Sequence, residues 1–178
     1  MPRAGPSLAF GSGQAQRIPH ARQHAGARPS ASGERKRGAK DQALGRSRGG
    51  LTTKIHLLCD ALGRPLRAML SPGQAHDLLH AAALIDGERT KAVIADTAFD
   101  ARAFREKVWS MGARCVIPSN PTRKRPRRLN KRDYKLRNRI ERCINKLKHF
   151  RHIATRYDRR AEYFLAFIHL ACAMIWMR

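Results

Sequence analysis

Two carboxylates in this sequence are the best candidates for chemistry, Asp96 and Glu141. Asp96 directly follows the short apolar segment Lys91–Ala95 (KAVIA), which predicts a buried strand. An acid after such a strand lies at the carboxyl end of the sheet, where α/β folds bind ligands. An Asp there is more often a helix N-cap or turn residue, and the segment alone does not separate the two roles. Asp100 is expected to have that second role and to cap the following helix.

Glu141 lies in a segment with helical periodicity, Lys131–Phe150. At helical spacing it shares one face with Tyr134, Arg137 and Lys148. A separate apolar stripe, expected to pack on a sheet, consists of Leu136, Ile140, Ile144 and Leu147. Glu141 is then either a partner in surface ion pairs, which contribute little, or a metal ligand among cations that hold phosphates. The residues alone leave both open.

The strands and helices that must position these acids are predicted from alternating and helical patterns of apolar residues after residue 50. These patterns predict an α/β domain over residues 51–178, with a mixed sheet flanked by helices. Residues 1–50 are rich in Gly, Ser, Pro, Ala and Arg and are expected to be mostly disordered. The predicted strands are Thr52–Cys59 and Pro65–Leu70 (a hairpin), Lys91–Ala95 and Arg114–Pro118. The predicted helices are His76–Ile85, Ala101–Met111, Lys131–Phe150 and Arg159–Met177.

The positive charge is concentrated in one part of the chain. Of the net charge of +24, residues 121–160 carry +14, from 17 basic and 3 acidic side chains. Such a concentration favours a polyphosphate partner, because each neutralised phosphate releases counterions. The loop before the Glu141 helix is expected to contact nucleic acid through Arg123, Lys124, Arg125, Arg127 and Arg128. A solubilising basic surface is the alternative.

Cysteine usage and hydropathy argue against a disulfide-rich protein and against a membrane-spanning protein. The four cysteines are scattered, without a Cys-x-x-Cys pair, which indicates small core residues in a reducing compartment. The apolar run 161–177 is short for a membrane span and contains Glu162 and His169, so a buried amphipathic helix is expected. No signal peptide is expected at the N-terminus.

The spacing Tyr134-x-x-Arg137-x-x-x-Glu141-x-x-x-x-x-x-Lys148 resembles the Tyr-Arg-Glu-Lys signature of a large group of bacterial insertion-sequence transposases. Three further stretches resemble the same family in the expected order, and the resemblance covers roughly residues 20–178. These stretches are Gly45–His56, Val93–Asp100 and Phe150–Asp158.

The resemblance implies a ribonuclease-H-like domain with an Asp-Asp-Glu triad, in which Asp96 is the second Asp and Glu141 the terminal Glu. Both would bind Mg²⁺ or Mn²⁺ ions, two of which lie about 4 Å apart in such sites. Arg137 and Lys148 would hold the phosphate backbone, and Tyr134 would stack on a base or line the cleft. The implied partners are terminal inverted repeats and target DNA, in the bacterial cytoplasm at the nucleoid and not at a membrane.

The resemblance fails at the first Asp of the triad. Counting back from the His/Ala/Gly-rich stretch Ala21–Ala27 leads to Ala15, Gln16 and Arg17, not to an acid. The opening strand is therefore expected to be missing or degraded, as in a truncated or frameshifted copy. Asp60 is a candidate substitute, although a hairpin turn explains it well. The chain alone is expected to be inactive, with an upstream-frame product or self-association in a transpososome supplying the rest. The alternative is a non-catalytic basic nucleic-acid-binding protein.

Overall fold

The computed structural model of the chain describes residues 8–19, 42–47 and 50–177. Its strands are β1 (Leu8–Pro19), β2 (Gly45–Ser47), β3 (Gly50–Cys59), β4 (Pro65–Pro72), β5 (Ala92–Ile94) and β6 (Arg114–Val116). Its α-helices are α1 (Leu78–Leu84), α2 (Arg102–Ser110), α3 (Lys131–Tyr134), α4 (Asn138–Lys148), α5 (Arg151–Ala154) and α6 (Ala161–Trp176). Two 3₁₀ helices cover Thr97–Phe99 and Lys135–Arg137.

The strands form one mixed sheet in the order β2-β3-β1-β5-β6, with β4 paired to β3. Strand β1 is antiparallel to β3 and parallel to β5, and β5 is parallel to β6. The parallel strands β5 and β6 therefore end at the same edge of the sheet, where Asp96 follows β5, while β1 continues past this edge to Pro19.

The β3–β4 hairpin is closed by Asp60, as its turn context predicts. One oxygen of its carboxylate accepts hydrogen bonds from the backbone N–H groups of Leu62 and Arg64, both at 2.9 Å, and the other accepts from Arg64 Nε at 2.7 Å. Gly63 in this turn has a φ of 80°, a left-handed conformation that L side chains rarely adopt. Asp60 is thus a turn residue and is not positioned as a substitute ligand.

Successive side chains of β3 point to opposite faces of the sheet, and each face packs into a different hydrophobic core. Leu58 faces the core formed with α1 and α2, while Ile55, Leu57 and Cys59 face the core formed with α4 and α6. Helices cover both faces, so the mixed α/β prediction is confirmed. The four cysteines are free thiols, two of them buried, as expected of small core residues.

The opening strand differs from the prediction. Strand β1 lies in the centre of the sheet, with Ile18 opposite Thr53 of β3 and Leu8 opposite Val93 of β5. The prediction of a missing opening strand is therefore wrong, although the pairing of β1 with β3 is irregular, with a register shift between Gly11 and Gln16. The expectation that residues 1–50 are mostly disordered stays a prediction, with strands at Leu8–Pro19 and Gly45–Ser47 within it. The sequence of β1, LAFGSGQAQRIP, lacks the alternating bulky apolar residues that mark a strand. Its partners β3 and β5 are distant in sequence, so the local pattern did not predict the strand.

The helix expected over Lys131–Phe150 is divided into α3, a 3₁₀ turn and α4. Its start is set by Asn130, whose side chain accepts hydrogen bonds from the N–H groups of Arg132 and Asp133. The predicted apolar stripe is confirmed at Ile140 and Leu147, which are buried. Glu141 lies on α4, which packs against the inner strands β1 and β3.

Helix α6 packs one face into the core. Its buried residues are Phe164, Ile168, Ala171 and Ile175, which confirms the expected buried helix. Within residues 8–19, 42–47 and 50–177, no helix combines the length and apolar character needed to cross a bilayer.

Candidate active site and basic surface

Asp96 lies just beyond β5 and begins the 3₁₀ helix Thr97–Phe99. Its Oδ1 accepts a hydrogen bond from the N–H of Ala98 at 2.8 Å, so the N-cap role is present. Burial raises the pKa of Asp96, opposed by the Ala98 hydrogen bond and by the charge of Arg137. A carboxylate held in this way could still present its second oxygen to a ligand.

Glu141 lies in the first turn of α4 and pairs with Arg137 one turn earlier. Arg137 Nη2 is 2.7 Å from Glu141 Oε1, and 44% of the Glu141 side chain is exposed. The ion-pair interpretation of Glu141 is therefore realised in the structure. The charge of the same Arg137 also acts on Asp96, where it opposes the rise in pKa that burial causes.

Asp77 is a third acid near this edge that the sequence interpretation did not single out. Its charge contributes to the raised pKa of Asp96. The side chain is held by Lys54 of β3, whose Nζ donates to Asp77 Oδ1 at 2.8 Å and to the carbonyl of Ala75 at 2.6 Å. The signal available in the sequence was an Asp at the start of the predicted helix His76–Ile85.

A histidine pair lies behind Asp77. Buried His56 is hydrogen-bonded through Nε2 to Ser71 Oγ at 2.7 Å and packs against the ring of His80 at 4.7 Å. Burial, and then the charges of His80 and Lys54, lower the pKa of His56 to about 4, against an opposing effect of Asp77. His56 is therefore neutral at pH 7.

The other two residues of the predicted polar face lie apart from each other. Tyr134 packs against Ala92, Ile94 and Val116 beneath the strand ends, with Arg137 5.6 Å from its ring centre. Lys148 is exposed at the end of α4. Tyr134 thus packs beside the Arg137 guanidinium, whereas Lys148 lies exposed at the far end of α4.

The basic segment is a loop, as expected, but Arg123 is held by the protein itself. Arg123 Nε and Nη2 donate to the carboxylate of Asp100 at 2.9 and 2.8 Å. Asp100 does not cap the next helix, because the N-cap of α2 is Ala101, and the prediction for Asp100 is wrong. Burial raises the pKa of Asp100, but hydrogen bonds from the Asn120 N–H, Arg123 and Arg105 outweigh it and lower that pKa to about 2.

The remaining cations of the loop divide into two kinds. Arg127 stacks on Trp109 of α2, with its guanidinium carbon 4.7 Å from the ring centre. Lys124, Arg125 and Arg128 are exposed. These three side chains are free to contact phosphates, whereas Arg123 already has a buried partner.

The chain matches the family model of the Transposase DDE domain over residues 15–176. It belongs to this family. It is 43% identical over 130 residues to a protein of Brucella ovis described as a transposase for insertion sequence element IS6501, covering 72% of this chain and 100% of that protein. It is 31% identical over 135 residues to a Burkholderia cepacia protein described as a transposase for insertion sequence element IS402, covering 69% of this chain and 62% of that protein. No solved structure matches the chain significantly.

The family confirms the resemblance seen in the sequence and makes this chain a DNA transposase by descent, an enzyme class that cleaves DNA and transfers strands with divalent metal ions. Carboxylate oxygens such as those of Asp96 and Glu141 are suitable donors for Mg²⁺ or Mn²⁺. However, no group of three or more His, Cys, Asp or Glu side chains in the described part of the chain is arranged to hold an ion. The sequence of β1, LAFGSGQAQRIP, contributes no acid. The described residues therefore do not fit a two-ion site.

Proposed function

We propose that this chain is a ribonuclease-H-like domain of an insertion-sequence transposase that binds DNA and, by itself, does not cut it. Asp96 and Glu141 are the second and third acids of its triad. The observation that carries this proposal is that one cation acts on both acids: Arg137 pairs with Glu141, and its charge favours the ionised form of Asp96. Residues 45 positions apart in sequence are thereby associated with one edge of the sheet.

The ribonuclease-H-like assignment is supported by the mixed sheet, in which the central β1 is antiparallel to β3 and parallel to β5. Helices lie on both faces. The acid after β5 and the acid on α4 then lie on elements that both contact β1.

The DNA-contacting surface consists of the exposed loop cations together with Arg137, just before α4, and Lys148, at the end of α4. Lys124, Arg125 and Arg128 bind phosphates in a way that is independent of sequence. Lys148 extends this surface, and Arg137 approaches the backbone next to the acids. Tyr134 takes part through its support of Arg137. The partners are the terminal repeats and target DNA, in the bacterial cytoplasm at the nucleoid, with assembly into a transpososome supplying the missing acid.

The test is the salt dependence of DNA binding. Each lost phosphate contact lowers the slope of log affinity against log salt by about 1. Combined replacement of Lys124, Arg125 and Arg128 by Ser should therefore lower the slope by about 3 and weaken binding to every DNA sequence. The control is the pair of substitutions Arg89→Ser and Lys91→Ser, exposed cations at the opposite end of β5. Equal slopes for the loop variant and the control would refute the proposed surface.

The second candidate, a basic binder without chemistry, is favoured by the incomplete ligand set. The two candidate functions differ in whether Asp96 and Glu141 are needed to bind a metal ion. Glu141→Gln should weaken Mn²⁺ binding to the DNA-bound chain if Glu141 belongs to a transposase site. In a simple basic binder the same substitution should leave Mn²⁺ binding unchanged.

A further inference from the structure

Asp100 is the most heavily bonded carboxylate among the described residues. Its side chain is 1% exposed and accepts from Arg105 Nε at 2.6 Å and from the N–H of Asn120 at 2.7 Å, in addition to Arg123. A buried carboxylate is tolerated only when its charge is satisfied, and here two guanidinium groups and a backbone donor satisfy it. Asp100 is thus an anion fully occupied by the protein.

The donors to Asp100 come from two different places in the fold, helix α2 and the basic loop. Arg105 is in α2, and its Nη2 also donates to the carbonyl of Ile117 beyond β6 at 2.8 Å. Asn120 and Arg123 lie at the start of the basic loop. Asp100 itself follows the 3₁₀ helix that Asp96 caps. One carboxylate therefore connects the Asp96 turn, the end of β6 and the basic loop.

The basic loop needs such an anchor because of its composition. Five of the six side chains from Arg123 to Arg128 are cations, which repel one another and cannot be buried together. Asp100 at one end and the Trp109 ring under Arg127 at the other hold the backbone at two points. Between these points Lys124 and Arg125 are exposed.

We propose that Asp100 is a positioning residue that fixes the DNA-binding loop at a set place relative to Asp96, so that DNA held by the loop is presented to the acidic edge of the sheet. This rests on the proposed function. Arg123 acts in this anchor and does not bind phosphate, although it lies in the same basic run as Lys124 and Arg125.

The experiment compares Arg123→Gln with Lys124→Ser in the full chain, using a duplex that carries the element's ends and a range of salt concentrations. Arg123→Gln should weaken binding about tenfold, the effect of having to order one or two side chains on binding. Its salt slope should stay at the wild-type value. Lys124→Ser should lower the slope by about 1, because it loses a phosphate contact. Arg123→Lys retains a cation for Asp100 and should recover much of the affinity.

A second measurement tests, in the absence of DNA, whether the Arg123–Asp100 pair holds the basic loop in place. Limited trypsin digestion should cut after Lys124, Arg127 and Arg128 several times faster in Arg123→Gln than in the wild type. Because Arg105 still pairs with Asp100 in this variant, circular dichroism should show an intact fold. A lower salt slope for Arg123→Gln, or faster digestion with unchanged DNA affinity, would overturn the positioning role. Failure of the wild-type chain to bind DNA would instead refute the proposed function, and the digestion result would still test the anchor.

Discussion

Arg137 and Glu141 form an ion pair one helical turn apart, with Nη2 2.7 Å from Oε1. The pair crosses the junction between the 3₁₀ turn and α4, and the same guanidinium lowers the pKa of Asp96. The positive charge of Arg137 therefore acts on two carboxylates, Glu141 and Asp96, which belong to separate elements. Asp77 acts on Asp96 in the opposite direction.

Removing either neighbour should shift the titration of Asp96 in opposite directions. Arg137→Gln should raise the pKa of Asp96 further, since a stabilising cation is lost, and Asp77→Asn should lower it, since a repelling anion is lost. Carboxyl carbon chemical shifts followed by NMR over pH would measure both. Arg142→Gln, an exposed cation on the same helix, is the matched control and should have no effect. Shifts of the same sign for the first two variants would contradict the arrangement.

Two Asp→Asn substitutions four residues apart should change stability with opposite sign. The pKa of Asp100 is lowered to about 2, so its charged form stabilises the fold above its ordinary pKa of 3.8, and this contribution is lost as pH falls towards 2. Asp100→Asn should cost about 2 kcal/mol at pH 7. The pKa of Asp96 is raised, so its charged form is unfavourable at pH 7, and Asp96→Asn should stabilise the chain while retaining the N-cap. Urea unfolding at pH 7 would show both signs.

His56 should make stability depend on pH in a higher window. Its pKa is lowered to about 4 from an ordinary value of 6.5, so the unfolded chain binds a proton between these values that the folded chain does not. Stability should therefore fall by about 3 kcal/mol as pH decreases from 6.5 to 4. The groups that face His56 are His80, Asp77, Lys54 and Ser71. His56→Gln should flatten the curve in this window, and Asp100→Asn should not.

The purified chain with Mg²⁺ or Mn²⁺ should bind DNA carrying the element's ends without nicking it. Two acids do not hold two ions close together, and the neighbouring Arg137 opposes a further cation. Denaturing gels of end-labelled DNA would detect cleavage. Nicking that Glu141→Gln abolishes would prove this prediction wrong. Asp77 would then be the first residue to test as an additional ligand, because Asp60 is already occupied by its turn and by Arg64.

The parts of the fold that the sequence predicted are those with local patterns. The hairpin was found from β-branched and apolar residues around Asp60, and β5 from its short apolar run before Asp96. Such patterns involve residues that are close together in the sequence. Strand β1 has no comparable pattern, and its place depends on pairing with β3 and β5, which are distant in sequence.

The sequence supplied candidate acids, which stay predictions as site residues, and it did not predict the contacts around them. Asp96 and Glu141 were identified from a strand end and a helical motif. Arg123 was assigned to DNA because it lies in a basic run, but its partner Asp100 is 23 residues away. Periodicity and charge counting carry no information about which distant carboxylate a given cation will meet, so anchoring and DNA-contacting cations look alike in the sequence.

The register of the central strand also has a genetic consequence. Leu8 and Ala9 of β1 pair with Val93 and Ile94 of β5, so the residues after Ala9 continue β1 beyond the strand end that Asp96 follows. A single nucleotide substitution converts any glycine codon into one for aspartate or glutamate. Gly11, two residues beyond Ala9, is thus a position at which one point mutation would introduce an acid into the central strand of the sheet.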